Sequence, residues 1–402
     1  MDYTDLSKKL SMSTDSKIVM IVMDGLGGCE REPGGKTELE AARTPHLDAL
    51  AAGGVTGLSD PIAPGFTPGS GPAHLSLFGY DPVKYEIGRG ALAAAGIGFE
   101  RQAGDVAARG NFCTLDADGL VTDRRAGRIP TEKCAELTPL IDGMEFDGVK
   151  VFVRPVKDYR FVIVFRGQGL GGNCADSDPQ QTGRPPLEVT GADPASQKTA
   201  AVANAFIAEA RRRLAGLEPA NGVLTRGYDV FPDMPHMQEI YKLNPACIAV
   251  YPDYKGVSRL IGMKVYEQGQ DTIAQEFDIL EQAFADHDFF FVHIKKTDSY
   301  GEDGNFDGKA HVIEELDAQI PRLLALKPDV IVVTGDHSTP ALLKSHSWHP
   351  LPLLIHSNFC RRDAVAEFSE RACAAGGLGR IPHVSIMPLA MANALKMRKF
   401  GA

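Results

Sequence analysis

The chain has 402 residues, 44% of them apolar and 23% charged, with a formal net charge of −10. That length exceeds the ~250–300 residues at which one hydrophobic core stops growing, so two domains are expected. The acidic balance lacks the basic footprint that general nucleic-acid or membrane-surface binding requires, so neither partner is expected.

The seven cysteines (Cys29, Cys113, Cys134, Cys174, Cys247, Cys360 and Cys373) form no C-x-x-C pair. This spacing speaks against a zinc ribbon or a disulfide frame and suits free thiols in a reducing compartment. The opening "MDYTDLSKKLSMSTDSK" has no signal-peptide apolar core, and no run reaches the ~18–20 apolar residues of a membrane span. A cytoplasmic location is the expectation.

Taken in chain order, short β-branched apolar runs each end in a polar or glycine-bearing turn. The first, "IVMIVMDG" (18–25), ends at Asp24. A helix follows in "TPHLDALAAGG", with Thr44 placed as N-cap, Pro45 as first helical residue and Gly53 near the stop. In "PGSGPAHLSLFGYDP" (68–82), Ser70 precedes an apolar helical stretch and reads as an N-cap whose hydroxyl sits among unpaired backbone N–H groups. A capping role and a nucleophilic role both fit it. The next strand is "FVIVFRGQG" (161–169), and "TAAVANAFIAEARRRLAG" has helical spacing with its arginine run on a solvated face.

"DFFFVHIKKTD" (288–298) runs into "KKTDSYGEDG", a glycine-bracketed turn carrying Asp298, Glu302 and Asp303. Helical spacing returns in "GKAHVIEELDAQIPRLLALK". The strand "DVIVVTGDH" (329–337) delivers Asp336 and His337, His346 lies within "LLKSHSWHP", and "LPLLIH" (351–356) is a last strand. Near-continuous apolar strands imply burial on both faces, as in a parallel sheet covered by helices, so the fold class is α/β.

Ligands of such sheets gather beyond the carboxyl ends of the strands. There the sequence places Asp24, Asp298, Glu302, Asp336, His337 and His346, six oxygen and nitrogen donors from separate segments. Each alone reads equally well as a turn residue or a satisfied core group. Together they fit a two-metal site, in which a pair of cations clamps the attacking and leaving oxygens of a displacement.

The ordered set "VMDGLGG", "PIAPGFTPGSGPAHLSLFGYDP", "GRG", "DRRAGRI", "FRGQGL", "DSDPQ", "YPDYKG", "KKTDSYGEDG" and "VTGDHSTPALLKSHS" resembles, over nearly the whole chain, the archaeal-type cofactor-independent phosphoglycerate mutases of the alkaline phosphatase superfamily. The resemblance implies an alkaline-phosphatase-like sheet covered by helices on both faces (1–89 and 256–402), with a smaller inserted α/β domain (90–255) that binds substrate. It implies that Asp24, Ser70, Asp336 and His337 surround one divalent ion, with Ser70 becoming phosphoserine, and that Asp298, Glu302 and His346 surround the other. Manganese is favoured, with magnesium, cobalt and zinc as alternatives, and no bisphosphoglycerate is required.

The family generally has His where this chain has Glu302, and Asp-Thr where it has Gly71-Pro72. Glutamate in that place tilts the expected metal choice toward oxygen-preferring ions. For a small-molecule phosphoglycerate, whose phosphate and carboxylate suit guanidinium forks, the matching groups are Arg124, Arg128, Arg166, Arg226 and Lys255, with Asp176 and Asp178 of "DSDPQ" beside them. The reaction implied is interconversion of 3- and 2-phosphoglycerate, the inserted domain closing on hinges near "EIGRG" and before "YPDYKG" to exclude water. The rival is a metal-dependent phosphohydrolase or phosphonate-processing enzyme on the same scaffold.

Overall fold

The computed structural model describes residues 3–267 and 272–401. The chain forms β1 (Ile18–Met23) and β2 (Val55–Asp60), then β3 (Val106–Leu115), β4 (Val121–Asp123), β5 (Met144–Phe146), β6 (Val149–Lys157), β7 (Arg160–Arg166) and β8 (Gly222–Val230). It continues with β9 (Pro245–Ala249), β10 (Lys264–Tyr266), β11 (Phe289–Ile294), β12 (Val330–Thr334), β13 (Leu351–Ser357) and β14 (Arg380–Pro382). These strands fall into two compact units, one made of residues 1–86 and 234–402, the other of 87–233.

The first unit holds an eight-stranded sheet in the order β10-β9-β11-β1-β12-β13-β2-β14. Strands β10, β9, β11, β1 and β12 are parallel to one another. β1, β11 and β12 are buried along their whole length, as their mostly apolar sequences require of strands with both faces covered. Around them Ile21, Phe290, Ile313, Leu316 and Val333 belong to one core cluster.

The second unit has a six-stranded sheet, β4-β3-β7-β6-β5 with β8 also on β3, and every pairing in it is antiparallel. Its own core gathers Phe112, Phe161, Phe165 and Phe206, the last from the helix Pro194–Leu214.

Several expectations change. β7, read as a parallel strand, lies between antiparallel neighbours in the second unit; β13 is antiparallel to both β12 and β2. An apolar run reports burial on two faces and carries no information on direction. The second boundary falls at Met234 instead of 256, because β9 pairs with β11 and so returns the chain to the first sheet before "YPDYKG". "KKTDSYGEDG" is a helix, Lys296–Asp303, stopped by Gly304 at φ 75°. The pattern over 308–327 divides into Phe306–Asp317 and Ile320–Leu326, with Pro321 opening the second helix. Thr44 precedes the helix Pro45–Gly53 as expected, but its side chain makes no capping bond. All seven cysteines are free, and no helix of the described residues is long and apolar enough to cross a membrane.

Candidate active site

Register brings the donors of the first unit together. β1 and β11 pair Met23 with Ile294, and β1 and β12 pair Val22 with Thr334, so Asp24, Lys295 and Asp336 leave the sheet at nearly one level. Asp24 and Asp336 are both fully buried. Gly25, at φ 63°, turns the chain after Asp24, and a Cβ there would run into the side chains of Thr339 and Asp298. Its N–H donates to Asp336 Oδ1 at 3.0 Å.

Two groups of ligand atoms result, each lying within 4.8 Å of one another: Asp24, Asp336 and His337 in one, Asp298, His337 and His346 in the other. His337, expected in the first group alone, belongs to both. Its Nε2 is 3.3 Å from Asp24 Oδ1, 3.2 Å from Asp336 Oδ2 and 3.2 Å from the Ser70 hydroxyl. The His346 ring stacks on the His337 ring at 3.6 Å between centroids.

Hydrogen bonds orient both rings. Thr339 Oγ1 donates to the acceptor-only Asp298 carboxylate at 2.7 Å, so it accepts from His337 Nδ1 at 3.0 Å and leaves Nε2 bare. His346 Nδ1 donates to the Pro68 carbonyl at 3.0 Å, and its Nε2 lies 3.8 Å from Asp298 Oδ1.

The electrostatics call for a cation. Burial and the neighbouring Asp24 hold the Asp336 carboxyl well above the usual carboxylate range. For Asp24, burial acts upward, but Lys295, His293 and His337 outweigh it and hold the group below that range. Burial pushes the His337 imidazole far down, so it stays neutral and able to ligate. Asp24 Oδ1 and Asp336 Oδ2 are buried with no hydrogen-bond partner. These two unpartnered oxygens face the unprotonated His337 nitrogen, a buried donor set that suits a positive charge. The residues therefore fit a divalent cation.

Ser70 is the first residue of the helix Ser70–Leu77, with Gly69 as its N-cap. The capping expectation fails by one position, because Gly69 is the residue with extended backbone. Glu302 is exposed and lies outside both donor groups. In the helix Lys296–Asp303 it stands one turn beyond Asp298 on the same helix face, yet its carboxyl reaches neither group. It still feels the centre, since partial burial and then Asp298 raise its carboxyl.

Sequence reasoning missed several neighbours. Lys295 Nζ bridges Asp24 Oδ2 at 2.8 Å and Asp298 Oδ2 at 2.5 Å. The Tyr254 hydroxyl also donates to Asp24. His74 lies one turn after Ser70 and donates from Nδ1 to the Ser70 carbonyl at 2.8 Å; burial drives it down to about 4. Buried His293 has Nε2 3.6 Å from Asp24 Oδ2. A histidine inside "DFFFVHI" and a lysine three residues before Asp298 were the available signals. Lys255 lies in the first unit, 3.4 Å from the Glu267 carboxylate, and it is the adjacent Tyr254 that meets Asp24.

In the second unit Arg124 grips Asp178 bidentately at 2.8 and 2.6 Å, and Arg226 Nη1 stands 4.0 Å from the same carboxylate. Arg226 Nε is buried without a hydrogen-bond partner; burial, then Arg89 and Arg109, lower its pKa. Asp176 accepts from the Gly227 N–H at 2.8 Å. Arg128 is exposed, in a short turn of helix. Arg166 is held apart by a bidentate pair with Asp105 at 2.9 and 2.7 Å. Arg89 and Arg109 went unremarked, although Arg89 stands in the "GRG" motif.

The fold and the site define an α/β enzyme whose carboxylates and imidazoles converge at the carboxyl ends of the parallel strands β1, β11 and β12. Residues 51–220 match the family described as 2,3-bisphosphoglycerate-independent phosphoglycerate mutase. Two relatives carrying the name "probable 2,3-bisphosphoglycerate-independent phosphoglycerate mutase", from Deinococcus radiodurans and Thermus thermophilus, are 51% and 49% identical over all of both chains. Among solved structures, the PH0037 protein from Pyrococcus horikoshii is 31% identical with a TM-score of 0.83, over 97% of this chain and 100% of that one. A cofactor-independent phosphoglycerate mutase from Thermoplasma acidophilum is 32% identical with a TM-score of 0.74, over 94% and 100%. The chain belongs to the 2,3-bisphosphoglycerate-independent phosphoglycerate mutases, which are isomerases.

Proposed function

We propose that the chain interconverts 3-phosphoglycerate and 2-phosphoglycerate through a phosphoserine on Ser70, at a centre of two divalent cations and without bisphosphoglycerate. The observation that carries this reading is the Ser70 hydroxyl, 3.2 Å from Nε2 of His337, the residue common to both donor groups.

Asp24, Asp336 and His337 would hold one cation through the single unprotonated His337 nitrogen, and Asp298 and His346 the other. When bound, such cations lower the pKa of a neighbouring hydroxyl and offset charge on a transferring phosphoryl group. Three carboxylates with two imidazoles suit manganese, with magnesium, cobalt and zinc as competitors.

Ser70 Oγ attacks the phosphorus in line; the Oγ–P bond forms as the bond to the glycerate 3-oxygen breaks. Glycerate then presents its 2-hydroxyl to the phosphoserine; the bond from phosphorus to the glycerate 2-oxygen forms as the Oγ–P bond breaks, the 2-hydroxyl giving up its proton and Ser70 Oγ regaining one. Arg124, Arg128, Arg166 and Arg226, with Lys255, bind the anionic groups of the substrate. Asp178 keeps Arg124 in place, with its guanidinium plane set by two bonds.

An enolase-coupled assay, with and without bisphosphoglycerate and across manganese, magnesium, cobalt and zinc, tests this. Turnover needing no bisphosphoglycerate, highest with manganese and lost in Ser70→Ala, is expected. Turnover persisting in Ser70→Ala refutes the covalent route, and steady release of inorganic phosphate identifies a phosphohydrolase instead.

A further inference from the structure

Lys309 is fully buried, near the start of the helix Phe306–Asp317. A cation there faces the positive end of the helix dipole and has lost its water, so local energetics disfavour it. Burial accordingly lowers its pKa, with Glu38 and Glu370 acting in the opposite direction.

The reason for its presence lies in its three bonds. Nζ donates to the carbonyls of Gly25 at 2.8 Å, Gly27 at 3.0 Å and Thr339 at 2.9 Å. Three protons meet three acceptors, which only the ammonium form can satisfy, because a neutral amine would turn a lone pair toward a carbonyl oxygen. Gly25 and Gly27 follow Asp24; Thr339 follows Asp336 and His337 and holds Asp298.

Two acidic side chains take the amides of the same loops. Glu38 accepts from Ala341 N–H at 2.7 Å and Cys29 N–H at 3.2 Å, and Glu370 accepts from Gly28 N–H at 2.9 Å. The loops approach so closely that a Cβ on Gly27 would strike the Ser338 side chain and one on Gly28 the Glu38 carboxylate. One ammonium and two carboxyl groups thus clamp residues 25–29 against 339–341 from beneath.

We propose that Lys309, supported by Glu38 and Glu370, is the positioning residue that sets the distance between Asp24 and the Asp336–His337 pair, and so sets the divalent-cation affinity of the centre. The proposal rests on reading the two donor groups as cation sites.

The test titrates Mn²⁺ alone into full-length protein stripped with EDTA, by calorimetry, for wild type, Lys309→Met and Glu38→Gln. Thermal unfolding in EDTA and separate kcat and KM values for 3-phosphoglycerate accompany it. Loss of a partner that orients metal ligands weakens affinity roughly 10- to 100-fold, and that is the expected change in both variants, with kcat lowered and KM within about twofold of wild type.

A lower melting temperature with unchanged Mn²⁺ affinity in a folded variant would mean a merely structural lysine and overturns the proposal. Should Lys309→Met not fold, Glu38→Gln decides by the same criterion. Wild-type protein that binds no Mn²⁺ sinks the underlying reading of the cation sites, an outcome distinct from wild type binding and the variants binding equally well.

Discussion

Replacing Thr339 by valine keeps the shape of the side chain and removes one hydroxyl. That hydroxyl makes two buried bonds, to Asp298 Oδ1 at 2.7 Å and to His337 Nδ1 at 3.0 Å. A bond to a charged group contributes about 1.5–3 kcal/mol and a neutral one about 0.5–1.5 kcal/mol, so about 2–4.5 kcal/mol bounds the loss. Two contacts remain to limit it: His337 stays stacked on His346, and Asp298 keeps its ion pair with Lys295. The expected effect therefore sits toward the lower end, about 30- to 100-fold in Mn²⁺ affinity, within the range found when other partners of metal ligands are lost. Calorimetric Mn²⁺ titration and the enolase-coupled assay measure it, and Thr339→Ser should restore most of the loss by returning the hydroxyl. A valine variant within twofold of wild type in both affinity and kcat would refute the claim that Thr339 orients His337 and Asp298.

Three further outcomes are expected. Glu302→Gln should leave Mn²⁺ affinity within about threefold, since Glu302 is exposed and outside both donor groups; a loss of about 10-fold or more, the size seen when a group supporting a metal is removed, returns it to the centre. Stripping with EDTA should abolish turnover and added Mn²⁺ restore it; full activity in chelator contradicts a metal-dependent reaction. Burial acts upward on the Asp178 carboxyl, but Arg124 and the Gln180 N–H outweigh it and hold the group below the usual carboxylate range. Its contribution to stability is therefore complete above the unfolded value of about 4 and is lost as pH falls through the folded one. Asp178→Asn should lower the melting temperature at pH 7 and shrink the acid-induced drop, whereas an unchanged acid profile excludes Asp178 as its source.

Of the first sheet, β1, β11, β12 and β13 were legible because they are short apolar runs ending in polar residues, whereas β2, β9, β10 and β14 were not read. Asp24, Asp336 and His337 could be placed at its carboxyl edge for the same reason. Strand direction was not legible: β7 and β13 have sequences as apolar as those of parallel strands, and only their hydrogen-bonded neighbours make them antiparallel. The helix over Lys296–Asp303 was hidden by its internal Gly301 and its charge.

What the sequence determined by itself is the family, the two-unit composition and the kinds of donor at the strand ends, since residue type and spacing fix which groups can be buried and which can ligate. The tertiary structure alone decided that His337 serves both donor groups, that Lys295 and Tyr254 reach Asp24, and that Lys309 holds loops far apart in the chain. Those relations depend on the pairing of Met23 with Ile294 and Val22 with Thr334 and on the packing of a distant helix, distances that no local pattern encodes.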